Sequence, residues 1–114
     1  MIKVEMVGNW QQEEMIAKEP YGITVTGHAG AGKPGEDIVC AAVSILLNVL
    51  AELLADENSA DLQVRMEPGD AEILHRGISY EGSMAYNYFG TGINKLCEEY
   101  PQYIQASWRE EPHE

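Results

Sequence analysis

Four glycines and a proline fall within nine residues at Gly27-His28-Ala29-Gly30-Ala31-Gly32-Lys33-Pro34-Gly35. Glycine frees the backbone and proline removes a donor, so this stretch can be neither helix nor strand. It is preceded by Ile23-Thr24-Val25-Thr26, whose β-branched side chains favour a strand. It is followed from about Glu36 to Asp56 by a run rich in Ile, Val, Leu and Ala. The chain therefore passes from strand to helix through a loop, and the remaining elements must be arranged around that junction. Glu36 and Asp37 sit in the first helical turn, where acids complement the positive helix end. The apolar residues cover most of the helix circumference. That pattern predicts burial on several sides, by the centre of the core or by a partner subunit.

Period-two alternation places a first strand at Met1–Val7. The polar residues 8–20, which include Pro20, form a turn or long hairpin loop. A further strand is expected at Asp61–Met66 with Leu62, Val64 and Met66 on one face. Glu67-Pro68-Gly69-Asp70 is a turn, and Ala71–Arg76 is the next strand. Met84, Ala85, Tyr88, Phe89, Gly92, Ile93, Leu96, Cys97 and Tyr100 recur at helical spacing, which predicts a second helix over Tyr80–Tyr100. Tyr103–Trp108 supplies a last strand before the acidic tail Glu110–Glu114. The order β-β-α-β-β-α-β, with short turns between neighbouring strands, predicts a two-layer α+β fold: a mostly antiparallel sheet with two helices. At 114 residues the chain is one domain, residues 1–114.

Seven Lys and Arg against 19 Asp and Glu give a net charge of −12. Such a field repels nucleic-acid phosphates and attracts basic peptides, although an acidic surface also serves solubility alone. Direct nucleic-acid binding is not expected. Neither is a membrane span, since no apolar run is read as long enough, and no signal peptide is expected. Cys40 and Cys97 lie in different predicted helices and form no CxxC pair. With no export signal, the expected compartment is a reducing cytosol in which both stay thiols. The two cysteines and three scattered histidines lack zinc-ligand spacing, so neither a metal nor a cofactor is expected.

The glycine loop admits three readings. Gly27-x-x-x-x-Gly32-Lys33 begins like a phosphate-binding P-loop, but Pro34 replaces the required Ser or Thr and removes an amide donor. Gly30-x-Gly32-x-x-Gly35 fits the dinucleotide fingerprint formally, yet the element order supplies no doubly wound parallel sheet. The third reading pairs His28, at the end of a strand, with Cys40, in the opening turns of the next helix. A helix N-terminus and an imidazolium both favour thiolate. Asp37, Cys40 and Ser44 share one helix face, and the loop amides are placed to hold an oxyanion. These are the parts of a thiol hydrolase. The same letters also fit a buried, unreactive Cys40 and a surface His28.

Gly27-His28-Ala29, followed by Gly35-x-Asp37-Ile38-Val39-Cys40-Ala41-Ala42-Val43-Ser44, resembles the signature of the ribosomal-processing cysteine protease family, Prp. The resemblance implies a small bacterial cytoplasmic endopeptidase, homodimeric and without a cofactor. Its substrate would be a short N-terminal extension of a large-subunit ribosomal protein, cut after paired phenylalanines. By position, Cys40 would be the nucleophile and His28 its base. Gly27, Asp37 and Ser44 would support the active site, and Ala29, Gly30, Gly32 and Gly35 would form the substrate loop. The acidic surface would then speed encounter with a basic ribosomal protein. Met84, Tyr86, Tyr88 and Phe89 are candidates for a phenylalanine pocket, with core packing the alternative for Met84, Tyr88 and Phe89. The rival to an enzyme is a non-catalytic module of the same fold that binds a basic protein.

Overall fold

The computed structural model describes residues 1–8, 21–27, 34–56, 60–67, 69–76 and 80–110. In chain order these form β1 (Ile2–Gly8), β2 (Tyr21–Thr26), α1 (Pro34–Asp56), β3 (Ala60–Glu67), β4 (Asp70–Arg76), α2 (Tyr80–Glu99) and β5 (Ile104–Glu110). The expected order is present, with boundaries moved by up to two residues; Pro34 and Gly35, expected in the loop, are instead the first two residues of α1. Pro34 opens α1, a position where its missing N–H costs no intrahelical bond.

The strands form one sheet in the order β3-β4-β2-β1-β5. β1–β2, β2–β4 and β3–β4 are antiparallel, and β5 returns parallel to β1 with Ile2 opposite Ile104. The α+β reading therefore holds, with one parallel pair at the β5 edge. Alternation sorts the two sheet faces. Ile2, Val4 and Met6 of β1, Ile23 and Val25 of β2, Ala71 and Ile73 of β4 and Ile104 of β5 are buried in the core. The alternate residues Lys3, Glu5, Thr24, Thr26, Gln105 and Ser107 line a hollow on the opposite, polar face. Removing the buried set from water is the main stabilising term.

α1 contributes Val39, Val43, Leu47, Leu50 and Leu54 to the core. The expected burial on several sides is not found within the chain: Ile38, Ile45, Val49 and Leu53 are exposed on the outward side. The expectation that no segment is long and apolar enough to span a membrane also needs correction. Ile38–Asp56 has 19 residues and a mean hydropathy of 2.4. The physical reason is that α1 carries two apolar faces, one committed to the core and one outward.

In α2, Ala85, Tyr86, Phe89 and Ile93 are buried, whereas Tyr88 is 69 % exposed. Tyr88 thus leaves the core face assigned to it by periodicity, and Tyr86 takes the interior. His75 of β4, 2 % exposed, explains the exchange. Its Nε2 lies 2.5 Å from the Tyr86 hydroxyl, so the phenol satisfies its polar tip inside the core. Tyr86→Phe keeps the ring but deletes this buried bond. It is expected to destabilise the fold by about 1–2 kcal/mol, read as a lower urea midpoint with an unchanged slope. An unchanged midpoint would show that the bond contributes nothing.

Candidate active site

Cys40 lies in the second turn of α1, half-buried and packed against the core. One turn later Ser44 is exposed on the same side, as the helical spacing requires. Cys40, Val43, Ser44 and Leu47 form one wall of a cleft of about 90 Å³. Ile2, Val25 and Gly27 lie at its base, and Glu67, Gly69, Asp70 and Ala71, from the β3–β4 hairpin, form the other wall.

Gly27 is the last described residue before α1. Its φ is +101°, a backbone conformation that L side chains rarely adopt. A Cβ there would stand 2.1 Å from the Met1 carbonyl oxygen. The Gly27 N–H donates to the Gly69 carbonyl at 3.1 Å, carrying the β2–β4 ladder one residue past the strands. At the hairpin tip, Arg65 donates through Nη1 to Asp70 Oδ2 at 2.7 Å and through Nη2 to Oδ1 at 3.3 Å. Arg65 Nη1 also reaches Glu67 Oε2 at 3.4 Å. These bonds from Arg65 hold the Asp70 carboxyl below its ordinary pKa.

Three of the expected site residues, Cys40, Ser44 and Gly27, are therefore gathered at one cleft. His28, Ala29, Gly30 and Gly32 lie outside the described residues. Gly35 and Asp37 fall in the first turn of α1, and the Asp37 side chain is likewise outside what is described. The second cysteine, Cys97, is half-buried in α2 and is not among the residues that line the cleft. Burial pushes its thiol above the ordinary value, opposed by a hydrogen bond with the Ala106 backbone. None of Met84, Tyr86, Tyr88 and Phe89 lines the cleft, and Tyr86 and Phe89 are committed to the core, so the phenylalanine pocket expected from them is not at Cys40. Sequence reasoning missed the hairpin wall. Its only local signal was a turn at Glu67–Asp70, and nothing in that signal says what the turn packs against.

The family model for the cysteine protease Prp matches residues 1–105. The chain belongs to the Prp cysteine protease family. No curated protein sequence matches it. Among solved structures, SMU.848 from Streptococcus mutans is similar at a TM-score of 0.72 and 27 % identity, covering 97 % of this chain and 96 % of the other. The essential ribosomal processing protease Prp from S. aureus, in complex with a substrate peptide, gives 0.72 at 22 % identity, with 96 % and 100 % covered. The same protease with a covalently linked product peptide gives 0.72 at 23 % identity over the same shares. At those identities the S. aureus structures share the fold with this chain.

Proposed function

We propose that this chain is an endopeptidase that removes a short N-terminal extension from a bacterial large-subunit ribosomal protein, cutting after paired phenylalanines. The observation that carries the proposal is the cleft: Cys40 and Ser44 open onto it together with Gly27, the residue immediately before His28. The Cys40 thiolate attacks the scissile carbonyl, and a thioacyl-enzyme forms as the amine leaves. His28 gives the leaving amine its proton, then takes one from the water that releases the acyl group. Cys40 lies past the first turn of α1, beyond the reach of the helix end's charge, so thiol activation falls mainly to the imidazole. Asp37 orients that imidazole, and Ser44 hydrogen-bonds at the thiol or the peptide. Ala29, Gly30 and Gly32 belong to the loop over the substrate, and Gly35, expected in that loop, stands instead in the first turn of α1. The reaction needs no cofactor, and the bacterial cytoplasm keeps the thiol reduced. A net charge of −12 draws in a basic ribosomal protein, most strongly at low salt.

The test is intact mass spectrometry of a ribosomal protein bearing such an extension, incubated with wild type and with Cys40→Ala. One truncation after the paired phenylalanines, made by wild type alone, is expected. Binding without truncation would replace the enzyme by a non-catalytic module of the same fold.

The working form is a homodimer joined through α1. Ile38, Ile45, Val49 and Leu53 form an outward apolar stripe along four turns, and a second copy presents the identical stripe. Wild type is expected to sediment at twice 12.6 kDa at micromolar concentration, and Ile45→Glu to sediment as monomer. Because Ile45 is 61 % exposed, the substitution leaves the core intact. A monomeric wild type would remove the dimer.

A further inference from the structure

We infer that the tip of the β3–β4 hairpin is a positioning device for the catalytic base, and that Gly69 is the residue through which it acts. The inference rests on the reading of His28 and Cys40 as partners. Beyond Thr26, the Gly27 N–H is held by the Gly69 carbonyl at 3.1 Å, while the Met1 carbonyl closes the space beside the Gly27 Cα. The backbone that leads into His28 is thus fixed from two directions, by β1 and by the hairpin. Neither contact involves a reacting atom.

The position of the Gly69 carbonyl depends on the turn that carries it. Gly69 has a φ of +73°, which a Cβ disfavours unless the residue is Asn or Asp. Arg65 on one strand clasps Asp70 on the other, at 2.7 and 3.3 Å, and so closes the base of the turn. The clasp is exposed; Arg65 does not line the cleft but its partner Asp70 does, so Arg65 acts on the site by holding the Asp70 carboxylate and, with it, the shape of the hairpin. Loss of the Gly69 geometry frees the Gly27 amide and lets the backbone before His28 swing. A displacement of about 1 Å between reacting groups is enough to cost about a hundredfold in rate.

The experiment reads Cys40 itself, without a substrate. In a Cys97→Ala background, the rate of iodoacetamide alkylation is followed from pH 5 to 9 for wild type, His28→Ala, Gly69→Ala, Gly69→Asn, Arg65→Gln and Asp70→Asn. An imidazole beside the thiol raises its reactivity near neutral pH, so His28→Ala sets the profile of an unassisted thiol. Gly69→Ala is expected to lose about fivefold or more at pH 7 and to move toward the His28→Ala profile. Gly69→Asn, which tolerates the left-handed conformation, restores the wild-type profile. Arg65→Gln, and likewise Asp70→Asn, which opens the same clasp with the opposite change of charge, shifts the profile in the same direction by a smaller amount, and the pair serves as the readout if Gly69→Ala fails to fold. With a cleavable peptide, the Gly69→Ala loss falls on kcat at unchanged KM. If His28→Ala shifts the profile and none of Gly69→Ala, Arg65→Gln and Asp70→Asn follows it, the hairpin has no positioning role and the inference fails alone. If His28→Ala matches wild type, the pairing of His28 with Cys40 fails and takes the inference with it.

Discussion

Replacing Cys40 by alanine is expected to lower peptide turnover by about four orders of magnitude or more, while the folded chain still binds its substrate. Deleting a covalent nucleophile removes the acyl-transfer route altogether, and the supporting groups that remain recover little of it. Ser44 is close by in the cleft, but a hydroxyl at neutral pH is a far weaker nucleophile than a thiolate. The fold tolerates the change because Cys40 is only half-buried, so the lost sulfur costs about 1 kcal/mol of packing. Cys97→Ala supplies the contrast. Its thiol is held above its ordinary pKa by burial and takes no part in lining the cleft, so turnover per folded molecule is expected within about twofold of wild type. Steady-state cleavage of a Phe-Phe peptide, with circular dichroism as the folding control, separates the two. Retained turnover in Cys40→Ala would end its assignment as nucleophile, and a large loss in folded Cys97→Ala would move that assignment to α2.

The element order was legible because each segment announces itself locally. Ile2, Val4 and Met6 alternate, the residues of β2 are mostly β-branched, and the loop after Thr26 forbids regular structure. Two features were not local: periodicity left the first open and misjudged the second. α1 is apolar nearly all round, and periodicity cannot say whether its second face meets the same chain or another molecule. In α2 the helical period selects Tyr88, yet Tyr86 is inside because His75, eleven residues earlier on another element, offers its hydroxyl a partner. The site divides in the same way. Cys40 and Ser44 share a face by the arithmetic of 3.6 residues per turn, and Gly27 precedes His28 in the chain. That Gly69 and Asp70 complete the cleft follows instead from the β2–β4 register, which pairs Thr26 with Asp70. No spacing in the sequence encodes that long-range pairing.

Gly27→Ala is expected to cost both stability and activity, because two separate penalties meet at that residue. The first is conformational. At φ +101° an alanine is strained by about 1–2 kcal/mol. The second is steric, and the neighbour cannot yield easily. The new Cβ would stand 2.1 Å from the Met1 carbonyl oxygen and 3.2 Å from its carbon, both backbone atoms. The next residue along, Ile2, is fixed by its N–H bond to the Tyr103 carbonyl at 2.8 Å and by pairing with Ile104. The end of β2 must therefore move away from β1, and the bond from Gly27 to Gly69 is broken in the process. A total loss of about 3 kcal/mol is expected, read from the urea midpoint. Turnover corrected for the folded fraction should fall more than about a hundredfold, since the shifted backbone leads directly into His28. Asparagine separates the two penalties. It relieves strain in left-handed backbone but carries the same Cβ, so Gly27→Asn should remain as impaired as Gly27→Ala, unlike the recovery expected at Gly69. If Gly27→Ala retained wild-type stability and turnover, β1 would not fix the end of β2, and the cleft could not owe its geometry to that contact.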